Sequence, residues 1–245
     1  MSKQFLNLQD MESRARQKIL VAVAGGSGTR MGTEIPKQFL EIGGKAILRL
    51  SIEKFIAAVP GIKVITVLPE AHIPRWKEYC IRTSFICPQT IVKGGLTRFH
   101  SVKNALGTIP DGAVVAIHDG VRPLLSCDMV ARMFEAAETE PAVIPVLPCV
   151  DTMKALRKNP ESGKLEPVDG MNVDRSLLYA VQTPQIFHSE ILKEAYSQPY
   201  DTAFTDDASV VAKKGMPLTY VEGERLNIKI TAKDDLRLAE AILTV

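Results

Sequence analysis

The segment AGGSGTRMGTEIPKQFL, residues 24–40, is where residue type and spacing most directly suggest chemistry in this 245-residue chain. Gly25, Gly26 and Gly28 let the backbone approach a ligand closely and point N–H groups inward, with Ala24 at the loop's entrance. Arg30 and Lys37 bring two cations to the same loop. A nucleoside triphosphate attacked at its α-phosphorus gathers negative charge on its equatorial oxygens, and fixed cations and amides aimed there are the main catalytic resource for such a transfer. Two other glycine-loop readings fail. A dinucleotide fingerprint needs a third glycine where Met31 stands, and Gly32 comes one residue late. Ile42-Gly43-Gly44-Lys45-Ala46 lacks the upstream glycine and the hydroxyl residue that a P-loop requires.

Two further loops carry candidate chemistry. Asp119 follows the apolar run AVVAIH, residues 113–118, and a carboxylate there can hold Mg²⁺, or another divalent cation, against a triphosphate. Arg122 reads equally as a phosphate partner or as the ion pair that orients Asp119. Gly94, Gly95, Arg98 and Ser101 lie in KGGLTRFHSV, where two glycines allow a base to approach the backbone.

The elements that position these loops follow from periodicity. KILVAVA (18–24), KVITVL (63–68), TIVK (90–93), AVVAIH (113–118) and AVIPV (142–146) read as buried strands. Helical patterns separate them: a stripe of Leu48, Ile52, Phe55, Ile56 and Val59, then residues 71–82, 97–107 and 126–138. Repeated β-α-β order predicts an α/β fold, a Rossmann-like, mostly parallel sheet flanked by helices, with the loops at Gly25, Gly94 and Asp119 converging at the strands' carboxyl ends. Residues 148–178 break the pattern, and NPESGK is a turn signal within them, so a projecting β-hairpin arm is expected. TDDASVV opens a helix with Thr205 as cap and two acids in its first turn, and TAKD resembles a capping box before a last helix over 233–243. The expected organisation is an N-terminal extension over 1–17 and one domain over 18–245 that includes the arm.

Composition narrows the class. The formal net charge of +2 gives no global drive toward nucleic acid or a membrane surface. No apolar run approaches the roughly 20 residues of a membrane span. The first 18 residues contain acids and no apolar h-region, so they do not read as a secretory signal. Cys80, Cys87, Cys127 and Cys149 form neither a CxxC pair nor a zinc spacing and read as reduced thiols, which makes a cytoplasmic location the expectation.

Residues 24–40 resemble the signature loop of nucleotide-diphosphate-sugar pyrophosphorylase-type nucleotidyltransferases. With KGGLTRFHSV (93–102), HDGVRP (118–123), VDTMK (150–154), DRSLLYAVQTPQ (174–185), TDDASV (205–210) and NIKIT (227–231), the chain from about Lys18 onward is similar to the 2-C-methyl-D-erythritol 4-phosphate cytidylyltransferase family of the non-mevalonate isoprenoid pathway. The resemblance implies transfer of CMP from CTP to the phosphate of methylerythritol phosphate, with release of pyrophosphate. It implies that Ala24, Gly25, Gly26, Gly28, Gly94, Gly95, Arg98, Ser101 and Asp119 bind CTP, and that the 93–101 loop reads cytosine and ribose. It makes Arg30 and Lys37 catalytic and Asp119 the metal ligand. It assigns Thr152, Arg175, Thr183 and Lys229, with Arg122, to the second substrate. It also implies a homodimer whose arms interlock, each Arg175 reaching the neighbour's site. Departures are mild: Gly120 and Val121 replace the two small residues more often seen after the aspartate, and Leu96 stands where some members carry an acid. The nucleophile, a phosphate oxygen, is already ionised at neutral pH, so His100 and His118 are expected to be structural. The rivals are the same chemistry on ribitol 5-phosphate and a regulatory module that binds nucleotide without turnover. Such modules usually lose a loop cation or the metal acid, whereas Arg30, Lys37 and Asp119 are all present.

Overall fold

The structure, a computed structural model, describes residues 16–26 and 35–243. The chain enters on β1 (Gln17–Val23), makes a small hairpin of β2 (Glu41–Ile42) and β3 (Lys45–Ala46), and continues into α1 (Ile47–Ala58). Then follow β4 (Lys63–Leu68), α2 (Ile73–Arg82), β5 (Gln89–Lys93), α3 (Arg98–Leu106), β6 (Ala113–Asp119), α4 (Cys127–Ala136) and β7 (Ala142–Pro148). The arm holds β8 (Leu156–Lys158) and β9 (Leu165–Pro167). The chain returns through β10 (Tyr179–Val181), β11 (Gln185–His188), α5 (Ser189–Tyr196), α6 (Asp207–Lys213), β12 (Thr219–Glu222) and α7 (Lys233–Leu243).

Eight of the described strands form one sheet in the order β10, β7, β11, β6, β1, β4, β5, with β12 also pairing with β7. β6, β1, β4 and β5 run parallel, as does β12 beside β7. Alternation along β1 decides which helices cover which face. Leu20 and Ala22 meet the cluster with Leu48, Ile52, Phe55 and Trp76, whereas Ile19, Val21 and Val23 meet Phe99, Val102 and Tyr196 on the other face. All seven residues of β6 are buried, as a strand covered on both sides must be. A third cluster, of Ile42, Ile47, Val121, Leu124, Ile230 and Ala239, fastens α7 and the segment before it to the β2–β3 hairpin.

The expected alternation therefore holds, with differences of detail. β11 is inserted antiparallel between β6 and β7, and β10 pairs antiparallel with β7, because the chain coming back from the arm enters the sheet from the opposite end. Ile56 leaves the predicted stripe and is exposed, because α1 buries a narrower face through Leu48, Ile52 and Phe55. α6 is capped by Asp206 rather than Thr205: the Asp206 carboxylate accepts from Ser209 N–H and the Ser209 hydroxyl reciprocates. Before α7 the acid that reaches back is Asp235, one residue later than expected; it accepts from Thr231 N–H, Thr231 Oγ1 and Ala232 N–H at 2.7–2.8 Å. The arm is a hairpin as expected. Asn159 Oδ1 accepts from the N–H groups of Glu161 and Ser162, and Gly163 turns the chain at φ 67°. Among the described residues no helix is long and apolar enough to cross a membrane.

Candidate active site

The carboxyl ends of β1, β5 and β6 meet at one cleft of about 300 Å³, lined among others by Gly25, Gly26, Lys37, Gly95, Arg98, Ser101, Asp119 and Lys229. Backbone bonds set the three loops against one another. Ala24 N–H donates to Val67 O at 2.9 Å, Gly120 N–H to Val23 O at 2.9 Å, and Gly94 N–H to Leu68 O at 2.8 Å. The glycine at 95 is required by close approach: a Cβ there would lie 2.4 Å from His100 Cβ and 3.0 Å from the His100 carbonyl carbon. Ser101 braces this turn, its hydroxyl donating to Thr97 O at 2.9 Å and accepting from Gly95 N–H at 3.0 Å.

Asp119 is the electrostatic centre. Lys229 Nζ lies 2.8 Å from Oδ2, Arg122 Nε 3.5 Å from Oδ2, and Arg98 Nε 3.7 Å from Oδ1. Burial by itself would raise the Asp119 carboxyl. The guanidinium of Arg98, then Lys229 and Arg122, outweigh it and hold the group well below the usual carboxylate range. Asp119 N–H donates to Thr183 Oγ1 at 3.1 Å, and Thr183 Oγ1 lies 3.1 Å from His118 Nδ1. His118 Nε2 faces the Arg122 carbonyl at 3.3 Å, which can only accept, so Nε2 carries the proton and Nδ1 accepts from Thr183. Burial pushes His118 down to about 3, against the pull of Asp119, so it is a neutral support beneath the site.

Of the residues singled out in the sequence, the cleft brings together Ala24, Gly25, Gly26, Lys37, Gly95, Arg98, Ser101, Asp119 and Lys229. Gly94 lies directly behind, its Cβ position 3.2 Å from Ser101 Oγ. Arg122 pairs with Asp119 and donates from Nη1 to Asn227 O at 2.7 Å. Thr183 is buried under Asp119 with its hydroxyl engaged on both sides. Thr152 and Arg175 do not line this chain's own cleft; both are exposed on the arm, where Arg175 Nη1 donates to Val150 O at 3.0 Å. Gly28 and Arg30 lie outside the described residues.

Several residues around the site are given no part in it by the sequence. Gln38 is buried in the cleft wall and donates from Nε2 to Ala24 O at 2.9 Å. Asn227 donates to Thr183 O at 2.9 Å, fixing the segment that carries Lys229. Glu224 receives both the N–H and the hydroxyl of Ser126. Asp207 takes the fork of Arg98. Gln38, Asn227 and Asp207 stand in segments that the sequence marks, residues 24–40, NIKIT and TDDASV, but such a segment does not name a residue's distant partner.

The comparisons agree with this geometry. The family model for 2-C-methyl-D-erythritol 4-phosphate cytidylyltransferase matches residues 18–245. The chain is similar to proteins of that name from Phocaeicola vulgatus (46% identical, covering 91% of this chain and 98% of the relative) and Bacteroides fragilis (47%, covering 90% and 97%). It is similar also to the crystal structure of that enzyme from Thermus thermophilus, with 31% identity, a TM-score of 0.67, and coverage of 94% of this chain and 100% of that one. Glycine loops, cations and a buried acid meeting at the ends of parallel strands are thus accompanied by similarity along almost the whole length, and the chain belongs to the 2-C-methyl-D-erythritol 4-phosphate cytidylyltransferase family.

Proposed function

We propose that this chain transfers CMP from CTP to the phosphate of 2-C-methyl-D-erythritol 4-phosphate in the cytoplasm, giving 4-diphosphocytidyl-2-C-methyl-D-erythritol and pyrophosphate. The observation that carries this reading is the meeting of two glycine loops, Lys37 and Lys229 around the ionised Asp119, in a chain of this family. An ionised oxygen of the sugar-alcohol phosphate attacks the α-phosphorus. The new P–O bond forms as the bond to the bridging oxygen of the β-phosphate breaks, and pyrophosphate leaves with that electron pair. No proton has to move, which accords with a His118 held neutral and buried. Lys37 and Arg30 stabilise charge on the α-phosphate and on the departing pyrophosphate. Lys229 meets the incoming phosphate, and Thr183 and Arg122 hold Asp119 in place.

Asp119 is also the proposed ligand for Mg²⁺ or another divalent cation, and the residues fit. Mg²⁺ takes one or two carboxylates and fills its remaining positions from water and phosphate oxygens. Asp119 is held ionised, which suits a cation whose remaining ligands come from water and a polyphosphate. Bound there, the cation supplies charge neutralisation at the triphosphate.

The proposed molecule is a homodimer in which Arg175 on the arm reaches the partner's site. Leu156, Leu165, Met171 and Leu177 are exposed on the arm, and an apolar surface of this kind gains by covering against a symmetric copy. The test is pyrophosphate release with CTP and, in parallel, methylerythritol phosphate or ribitol 5-phosphate. Turnover is expected with the former only; equal turnover with ribitol 5-phosphate, or with ATP, GTP and UTP in place of CTP, overturns the assignment.

A further inference from the structure

We propose that Asp207, which does not line the cleft, is a positioning residue that keeps Asp119 open to its ligand by capturing the guanidinium fork of Arg98. The inference rests on the reading of Asp119 as the group that meets the nucleotide's divalent cation. Asp207 is fully buried in the first turn of α6. Its two oxygens accept from Arg98 Nη1 and Nη2 at 2.7 Å each, and Oδ1 accepts also from Tyr196 Oη at 2.6 Å. The start of α6 is braced so that this carboxylate stays in place: Gln185 donates to Asp206 Oδ2 at 2.7 Å and accepts from Ala208 N–H at 2.8 Å.

The consequence falls on Asp119. A guanidinium presents one planar fork suited to a bidentate carboxylate, and such charge-assisted pairs are the strong ones. With its fork on Asp207, Arg98 can turn only its Nε edge toward Asp119, at 3.7 Å from Oδ1, beyond hydrogen-bond reach. Oδ1 therefore feels the positive charge without losing its lone pairs to it. Lys229 and Arg122 both lie against the other oxygen, Oδ2, so Oδ1 is the atom left for a ligand. A fork released from Asp207 has a second carboxylate within reach, and closing on Asp119 would occupy Oδ1. Asp207 thus acts on the site through Arg98.

The experiment titrates the full-length protein with CTP by calorimetry, in Mg²⁺ and in EDTA, and follows pyrophosphate release over a Mg²⁺ series. It compares the parent with Asp207→Asn and with the double variant Asp207→Asn/Arg98→Gln. In Asp207→Asn we expect CTP affinity in EDTA to change less than threefold, the gain in affinity that Mg²⁺ confers to fall at least tenfold, and the half-saturating Mg²⁺ to rise. Removing the freed fork in the double variant restores part of the gain. Unchanged Mg²⁺ dependence in Asp207→Asn, or a double variant no better than the single one, overturns the proposal and leaves Asp207 a support for α6. Should Asp207→Asn lack a cooperative thermal transition, Asp207→Glu, which keeps the charge and displaces the carboxylate, is measured in its place. A smaller loss of the same sign is expected there, and none overturns the proposal. A parent whose CTP binding ignores Mg²⁺ overturns the metal reading of Asp119 itself, a failure visible before any variant is compared.

Discussion

Lys37 is held before any triphosphate arrives: its ammonium donates to the Ile230 carbonyl at 3.1 Å at the edge of the cleft. A cation fixed in advance costs no reorganisation when charge develops, which is where such groups act most strongly. Lys37→Ala is therefore expected to lower kcat by about 10²–10³ while weakening CTP binding much less, separable by steady-state kinetics and equilibrium titration. The pair beneath the site makes a second prediction. His118 titrates near 6.5 in the unfolded chain and at about 3 when folded, so the unfolded state binds the extra proton between those values. Stability from this group is present above pH 6.5 and lost as pH falls toward 3, and the depressed Asp119 acts in the same direction at the acid end of that window. Between pH 7 and pH 5 the loss from His118 alone is about 2 kcal/mol. Urea unfolding should show this slope, and His118→Gln, though less stable throughout, should flatten it.

At the scale of elements, the site is a meeting of loops tied to rigid ends. The turn before α3 tolerates no side chain at 95, because His100 in the first turn of that helix fills the space. Gly95→Ala is expected to destabilise the protein by roughly 1–3 kcal/mol and to raise the KM for CTP at least tenfold with a smaller effect on kcat. Thermal unfolding and initial-rate kinetics check this. The segment 227–231 is a strap rather than a regular element. Asn227 ties it to Thr183 O, Ile230 N–H to Val121 O at 2.9 Å, and Asp235 gathers its end onto α7. It delivers Lys229 to Asp119 and the Ile230 carbonyl to Lys37, so one short stretch sets two of the cations.

For the whole molecule, the sheet supplies a rigid base and the arm leaves it. The hairpin β8–β9 stands off the core with apolar side chains exposed, and Arg175 is exposed and does not line its own chain's cleft. On the proposed dimer, Lys37→Ala and Arg175→Ala damage different halves of each shared site. Mixing the two inactive variants under conditions of subunit exchange should return about a quarter of parental activity, since half of the randomly assorted dimers carry one intact site of two. No recovery, with exchange demonstrated by a tagged copy, would mean that Arg175 serves its own chain or no site.

The order of the main strands and helices from β1 to β7, the convergence of the loops after β1, β5 and β6, and the hairpin in the arm were legible in the sequence because they follow from local periodicity and turn chemistry, whereas β10, β11, α5 and β12 were not assigned there. Buried runs such as AVVAIH admit few alternatives, and Asn159 with Gly163 specifies a turn within six residues. Asp119 and Lys37 were legible as candidates because of the loops that carry them, and both line the cleft. What only the tertiary structure decided is which charges meet. TDDASV marks a helix start, and its second aspartate could be read as a partner of the helix dipole, but Asp207 pairs with Arg98, 109 residues away. Lys229 and Asp119 are likewise brought together across the chain. Hydrophobic patterning and capping act over a few residues and leave a trace in the sequence. An ion pair between distant elements depends on how the sheet stacks its helices, and that stacking is set by the whole core at once.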